Sequence, residues 1–343
     1  MDFLPYLAKI DGLEEGQIVD FCASVNQSHR QLGLVSPFGL YDDILSFLLR
    51  SPHFEIRPFA ELSKPIASKS RKNPNPISRV GLRHDMDGDI VTGLKCAERL
   101  SKRRIPGAFF ILHTSGYYGV FKEGVFCRYP GVQPFVEKFG GLRTEFGLHN
   151  DGLLFYQNHN VNGTEAVVSE LAWLREQGVE INGVVAHNSA PAYGAENFEM
   201  FQGLALNDRT SVTHNGVEMP LQTLSLSEQG IHYEGNFSLP PKAENNSKIG
   251  DYISDLSGAD IRSRSWQVLH FLNNPTFERN YEVSIWLLAE DSWLMAVHGE
   301  DEGRFGKRRI YWPLTTQSLK QHLIGLQPGN RIMINIHPEY LAL

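Results

Sequence analysis

Two hydrophobic periodicities divide this chain. In residues 1–63 the apolar positions recur at helical spacing, in Leu13 to Val25 and again in Leu40 to Leu49, and Ser51-Pro52 stops the second run. From Arg79 onward, short apolar runs of strand length alternate with amphipathic stretches. The strand candidates are Val80 to His84, Gly107 to Leu112, Phe146 to His149, Gly183 to His187, Ile231 to Tyr233, Tyr252 to Ser254 and Arg331 to Ile336. Helix candidates between them are Asp89 to Lys102, Gly163 to Gln177, Ala195 to Leu204 and Thr315 to Leu326. Asp89 opens the first of these: Ile90, Leu94 and Ala97 share a side, and Lys102, Arg103 and Arg104 suit its carboxyl end. Strand and helix in alternation predict parallel strands joined by helical crossovers. The expected organisation is a helical extension over 1–63, a basic linker with Ser and Pro over 64–78, and an α/β domain over 79–343.

Polar chemistry gathers where these strands stop. Asp85 and Asp87 end the first strand at i and i+2, a spacing that puts both carboxylates on one face. A lone Asp-x-Asp-Gly is usually a turn or a helix cap. A calcium loop fails on detail, because Gly88 falls at loop position four and Cys96 stands where that loop needs Glu. Asp85, His113, His149, His187, Asp255 and His337 each lie at or just past the carboxyl end of a strand candidate. In a parallel barrel those ends meet on one face, which carries the active site. His84 points to the other strand face, where packing is the expected role.

Composition narrows the class. The chain has 343 residues, 41% hydrophobic and 21% charged, enough for one large α/β domain with additions. A net charge of −7 argues against a general nucleic-acid surface. Cys22, Cys96 and Cys127 are odd in number and lack a C-x-x-C spacing, which fits a reducing compartment. The first residues show no basic segment followed by a long apolar run, and no apolar stretch is long enough to span a bilayer, so cytoplasmic residence is expected. Oligomeric state leaves no mark in the sequence.

Several segments, in order, resemble the polysaccharide deacetylase (NodB-homology, carbohydrate esterase family 4-like) superfamily. Leu82-Arg83-His84-Asp85-Met86-Asp87 is similar to the branch whose first motif reads R-H-D-x-D. Gly107-Ala108-Phe109-Phe110 resembles the second-strand A-T-F-F, and Glu145-Phe146-Gly147-Leu148-His149 the E-I-G-x-H motif. Tyr252 to Gly258 is similar to a Y-x-S-D-x-x-G segment, and His337-Pro338-Glu339 to the closing H-P-E. The resemblance implies a distorted (β/α) barrel, often seven-stranded, with one divalent metal, commonly zinc. It further implies Asp85 as catalytic base, Asp87 and His149 as metal ligands and His337 as general acid. Such a hydrolase would remove an N-acyl group, acetyl first among them, from an amino sugar of a glycan or glycan precursor. The chemistry is coherent: a Lewis acid polarises the carbonyl, a base takes the proton of water, and an acid protonates the departing amine.

The departures from that pattern are specific. Members with a well-formed zinc site carry a second His four residues after the first, where this chain has Leu153. Asp151, Asn150, His187 and His113 stand as alternatives for the missing ligand. Near His187 the family often places R-x-P-Y, and the arginine is absent. Asp255 suits either a contact to the acid histidine or a sugar hydroxyl, or else a plain turn with Ser254 and Ser257. Aromatics including Tyr117, Tyr118, Phe126, Tyr129, Trp266, Trp286 and Trp293 are candidates for stacking on a sugar or for core packing. Two other functions therefore remain beside deacetylation: a metal-independent amidohydrolase of a small amide, and a non-catalytic glycan-binding or assembly protein with a degraded site.

Overall fold

The structure is a computed structural model that describes residues 12–31, 35–62, 77–122, 125–187, 193–204, 209–235, 266–271, 282–289, 292–299, 308–325 and 331–342. Helix α1 (Glu15–Gln31) buries Ile18, Phe21, Cys22 and Val25 at helical spacing, and α2 (Phe38–Arg50) does the same with Tyr41, Ile44, Leu45 and Leu48. The region is not purely helical. Strand β1 (Ser36–Pro37) precedes α2, and β2 (Phe54–Ile56) leads to the short α3 (Phe59–Leu62).

The central strands follow in chain order, each with its crossover. After β3 (Ser78–Met86), Asp89 caps α4 (Ile90–Arg103): its carboxylate accepts from the Thr92 N–H at 2.8 Å and the Thr92 hydroxyl at 2.6 Å. Next come β4 (Ala108–Leu112), a hairpin of β5 (Gly119–Lys122) and β6 (Val125–Arg128), α5 (Gln133–Gly140) and β7 (Glu145–Asn150). Then α6 (Gly152–His159) and α7 (Gly163–Glu176) lead to β8 (Ile181–Ala186). A second hairpin, β9 (Ser211–His214) and β10 (Val217–Pro220), precedes β11 (Tyr233–Glu234). The last part holds β12 (Trp266–Phe271), β13 (Glu282–Ala289), β14 (Ser292–Gly299), β15 (Arg308–Leu314), α8 (Thr316–Gly325), β16 (Arg331–Ile336) and β17 (Leu341–Ala342).

Six parallel strands in the order β11-β8-β7-β4-β3-β16 form a curled half-barrel. The seventh expected strand, Tyr252 to Ser254, lies outside the described residues. Beyond β16 the sheet continues antiparallel through β12, β13, β14 and β15, a ribbon that the strand-helix alternation did not anticipate. On the other side of β3, β2 pairs with its first residues in parallel, and β1 pairs with β17. The N-terminal region thus supplies strands to the sheet and to the chain's end as well as helices. Ala195 to Leu204 is the one helix candidate that fails. Only Asn197–Met200 forms a 3₁₀ turn, because the Gln202 and Leu224 N–H groups bond across to the Leu224 and Met200 carbonyls and make Phe201 and Leu224 a β-bridge.

Side-chain alternation along these strands sorts the chemistry. On the outer face Val80, Leu82 and Met86 of β3, Phe109 and Ile111 of β4, Phe146 and Leu148 of β7 and Ile332, Ile334 and Ile336 of β16 join one core with the helices. A second cluster of Phe59, Leu62, Ala108, Phe110, Val185, Tyr233 and Met333 lies apart from it. Gly81 keeps this packing possible, since a Cβ there would collide with Leu62 Cδ1. Fully burying one large apolar side chain contributes about 1.5–3 kcal/mol, so this filling supports what lies at the strand ends.

Candidate functional site

The site begins three residues before the end of β3. Arg83, on the same face as Asp85, reaches it with both arms of its guanidinium: Nε donates to Oδ1 at 2.7 Å and Nη2 to Oδ2 at 2.6 Å. Asn335, the β16 residue opposite Arg83, adds its side-chain amide to Oδ2 at 3.0 Å. Burial alone would raise the Asp85 pKa; the Arg83 and His149 charges outweigh it and hold the carboxyl below its usual range. Of roughly four carboxylate lone-pair directions, three are occupied by donors.

Asp87 follows in the turn after β3, which is tied down by the Tyr117 hydroxyl on the Met86 carbonyl and the Ser115 hydroxyl on the Asp87 carbonyl, both at 2.6 Å. Its carboxylate meets imidazoles instead of donors fixed by a guanidinium. His149 Nε2, at the end of β7, lies 3.3 Å from Asp87 Oδ1. His337 Nε2, just past β16, lies 3.6 Å from Oδ2, and His187 Nε2, just past β8, 4.0 Å. Burial again opposes ionisation, and His149, then His337 and His187, hold Asp87 far below the ordinary carboxylate range.

The histidines are oriented from behind. His149 Nδ1 donates to the Val185 carbonyl at 3.1 Å, which turns Nε2 toward Asp87. His187 directs Nδ1 to Asp151 Oδ2 at 3.3 Å, leaving Nε2 on the Asp87 side. Burial would depress His187, but the Asp151, Asp87 and Asp85 carboxylates lift it to about 9. Asp87, His149 and His187 each offer an atom within 4.8 Å of the others, so this cluster can hold a metal ion. The fit is chemical as well as spatial. Asp87 Oδ1 is buried and has no hydrogen-bond partner, and His149 Nε2 stands 3.3 Å from it, so a carboxylate oxygen and an imidazole nitrogen face one space. Carboxylate oxygen and imidazole nitrogen are the ligand atoms that a divalent cation such as zinc takes.

The other sequence candidates separate cleanly. His113 is buried, which pushes its pKa down to about 3, and its Nε2 accepts the Asp151 N–H at 2.7 Å; that nitrogen is unavailable to a metal. Asp151 has both oxygens engaged, Oδ1 by the Asn197 amide at 3.0 Å and Oδ2 by the Thr114 hydroxyl at 2.8 Å. Asn150 is likewise consumed by the Asn197 carbonyl and the Gly152 N–H. Asp255 lies outside the described residues. His84 packs on the outer face as expected, stacked on Phe109 with centroids 4.2 Å apart and bonded to the Ala108 carbonyl and the Tyr41 hydroxyl. Burial holds it neutral, with a pKa of about 4. Tyr117, Tyr118 and Tyr129 are buried and offer no stacking surface; the side chains of Trp266, Trp286 and Trp293 lie outside the description.

Several contributors were missed in the sequence. Arg83 and Asn335 could have been found, since each lies two residues before a candidate on the same strand face. Thr114 and Asn197 gave no signal. The brace behind His337 was also hidden. The Asn26 amide of α1 donates to the Glu339 and Leu341 carbonyls at 3.0 and 2.9 Å, and His29 stacks on Tyr340 at 4.4 Å. Tyr340 meets the His337 ring edge-on. Glu339 is buried beside Asp87, and burial first, then that charge, pushes its pKa well above the usual value. Among the described residues no helix is long and apolar enough to cross a membrane. Compared with protein-family models, with curated proteins and with solved structures, the chain finds no match in any of the three.

Proposed function

We propose that this chain is a metal-dependent hydrolase, working in the cytoplasm, that removes an N-acyl group, most simply acetyl, from an amino sugar of a glycan or glycan precursor. The reading rests on the motif resemblance to the polysaccharide deacetylase superfamily and to its seven-stranded barrel. One observation carries it: two imidazole nitrogens and a carboxylate oxygen that lacks a donor converge at the strand ends, beside Asp85 and His337. Asp87, His149 and His187 would hold the metal. Two nitrogens and one oxygen suit zinc.

A divalent cation there supplies a Lewis acid for the acyl carbonyl and eases deprotonation of an attacking water. The chain's own residues do the rest. Arg83 and Asn335 keep Asp85 ionised and fix its oxygens, leaving one lone pair for the proton of water. His337, more exposed than Asp85 at 26% against 2%, would hand a proton to the departing amine. Water's hydroxyl ends on the acyl carbon and its proton on the nitrogen, so the products are a carboxylate and a free amino sugar.

The test joins elemental analysis of untagged protein to acetate release from a panel of N-acetylated amino sugars. Stoichiometric zinc that disappears in Asp87→Ala, with acetate release lost alongside it, is the expected result. Turnover of a small amide that persists in chelator would replace this reading with metal-independent amidohydrolysis. Glycan binding without hydrolysis, surviving loss of both aspartates, would replace it with a binding role.

A further inference from the structure

The deacetylase pattern expects a histidine four residues after His149, and Leu153 stands there. In the fold Leu153 is fully buried in an apolar cluster with Tyr156, Met200, Met219 and Leu221. An imidazole at that position would enter this cluster. We propose that His187 from the neighbouring strand end takes over the missing ligand's place, and that Asp151, two residues after His149, is the positioning residue that makes this possible. The proposal rests on the metal-dependent reading above.

Asp151 is anchored by three residues from two elements. The loop after β4 contributes His113, which accepts its N–H, and Thr114, which donates to Oδ2. The 3₁₀ turn contributes the Asn197 amide on Oδ1. The same Asn197 amide donates to the His187 carbonyl at 2.9 Å, and the His187 N–H donates to the Asn150 carbonyl at 2.8 Å. His187 therefore has a fixed backbone, and the freedom left to it is rotation of a ring that is 34% exposed. The Asp151 carboxylate removes that freedom by taking Nδ1, so the other nitrogen is the one presented to Asp87 and His149. Carboxylates placed behind a ligand histidine in this way fix its tautomer and strengthen its donation, and their loss weakens metal binding about 10–100-fold. With both oxygens already bonded, Asp151 serves from behind the ring and is not itself a ligand.

A double-mutant cycle on zinc affinity tests this without any substrate. Zinc dissociation constants are measured by chelator competition for wild type, Asp151→Asn, His187→Gln and the double variant, with unfolding of each metal-free protein followed in parallel. Asp151→Asn is expected to weaken zinc about 10–100-fold. The double variant is expected to bind no more weakly than His187→Gln alone, because the carboxylate then has no ring to orient. Independent, multiplying losses would show that Asp151 acts elsewhere, and unchanged affinity in Asp151→Asn would overturn its role outright. If Asp151→Asn does not fold, Thr114→Val carries the same cycle by removing one anchor of the carboxylate. A wild type that takes up no zinc overturns both this inference and the metal-dependent function, whereas failure confined to the variants overturns the inference alone.

Discussion

Asp85 and Asp87 are the same residue type two positions apart, and the fold uses them in opposite ways. Asp85 is held by three donors: a buried guanidinium grips both oxygens and an amide adds a third bond. Asp87 has an oxygen with no donor and faces three imidazoles instead. One corner pairs its charge with a guanidinium inside the protein; the other can hold a cation. A carboxylate gripped by several protein donors is held in one orientation, and one with a buried oxygen left unpartnered has room for a ligand.

The sharpest way to break this contrast is in stability. Asp85→Ala removes the carboxylate paired with the buried Arg83 guanidinium and is expected to cost about 3–5 kcal/mol, read from urea unfolding of metal-free protein. A loss under about 1 kcal/mol would show that the pair does not bind the corner together. Asn335→Ala removes one hydrogen bond to the same charge and should cost about 1.5–3 kcal/mol in that assay.

Smaller still is a pH effect on the other corner. Burial would lower His187, but the Asp151, Asp87 and Asp85 carboxylates raise its pKa from the ordinary 6.5 to about 9, and partial exposure of the ring screens the effect. A folded pKa above the unfolded one means that its pairing with Asp151 stabilises fully below about 6.5 and is lost as pH rises through about 9. Urea midpoints of metal-free protein at the two ends of that window should differ more in wild type than in His187→Gln. Equal differences would assign the effect to other groups. Asp87→Ala is expected to cost less stability than Asp85→Ala, because among the described residues no guanidinium or amide donates to its carboxylate and two of the three imidazoles around it are partly exposed. Its zinc affinity should nonetheless collapse, so the two aspartates exchange rank between the unfolding and the metal-binding assays.

Strand-length apolar runs and the residues that follow them are local facts, and they were legible in the sequence. β3, β4, β7, β8 and β16 lie where the runs predicted, Asp89 opens α4, and Asp85, Asp87, His149, His187 and His337 meet at one end because parallel strands bring their carboxyl ends together. Alternation along a strand even placed His84 on the opposite face. The sequence could not choose the third ligand among Asp151, Asn150, His187 and His113. That choice depends on which lone pairs other parts of the chain had already claimed: Asn197 and Thr114 claim Asp151, the Gly152 N–H and the Asn197 carbonyl claim Asn150, and the Asp151 N–H claims His113. Hydrogen-bond partners up to 47 residues apart make that decision. Local periodicity determines where a side chain points; only the assembled fold determines what is left for it to bind.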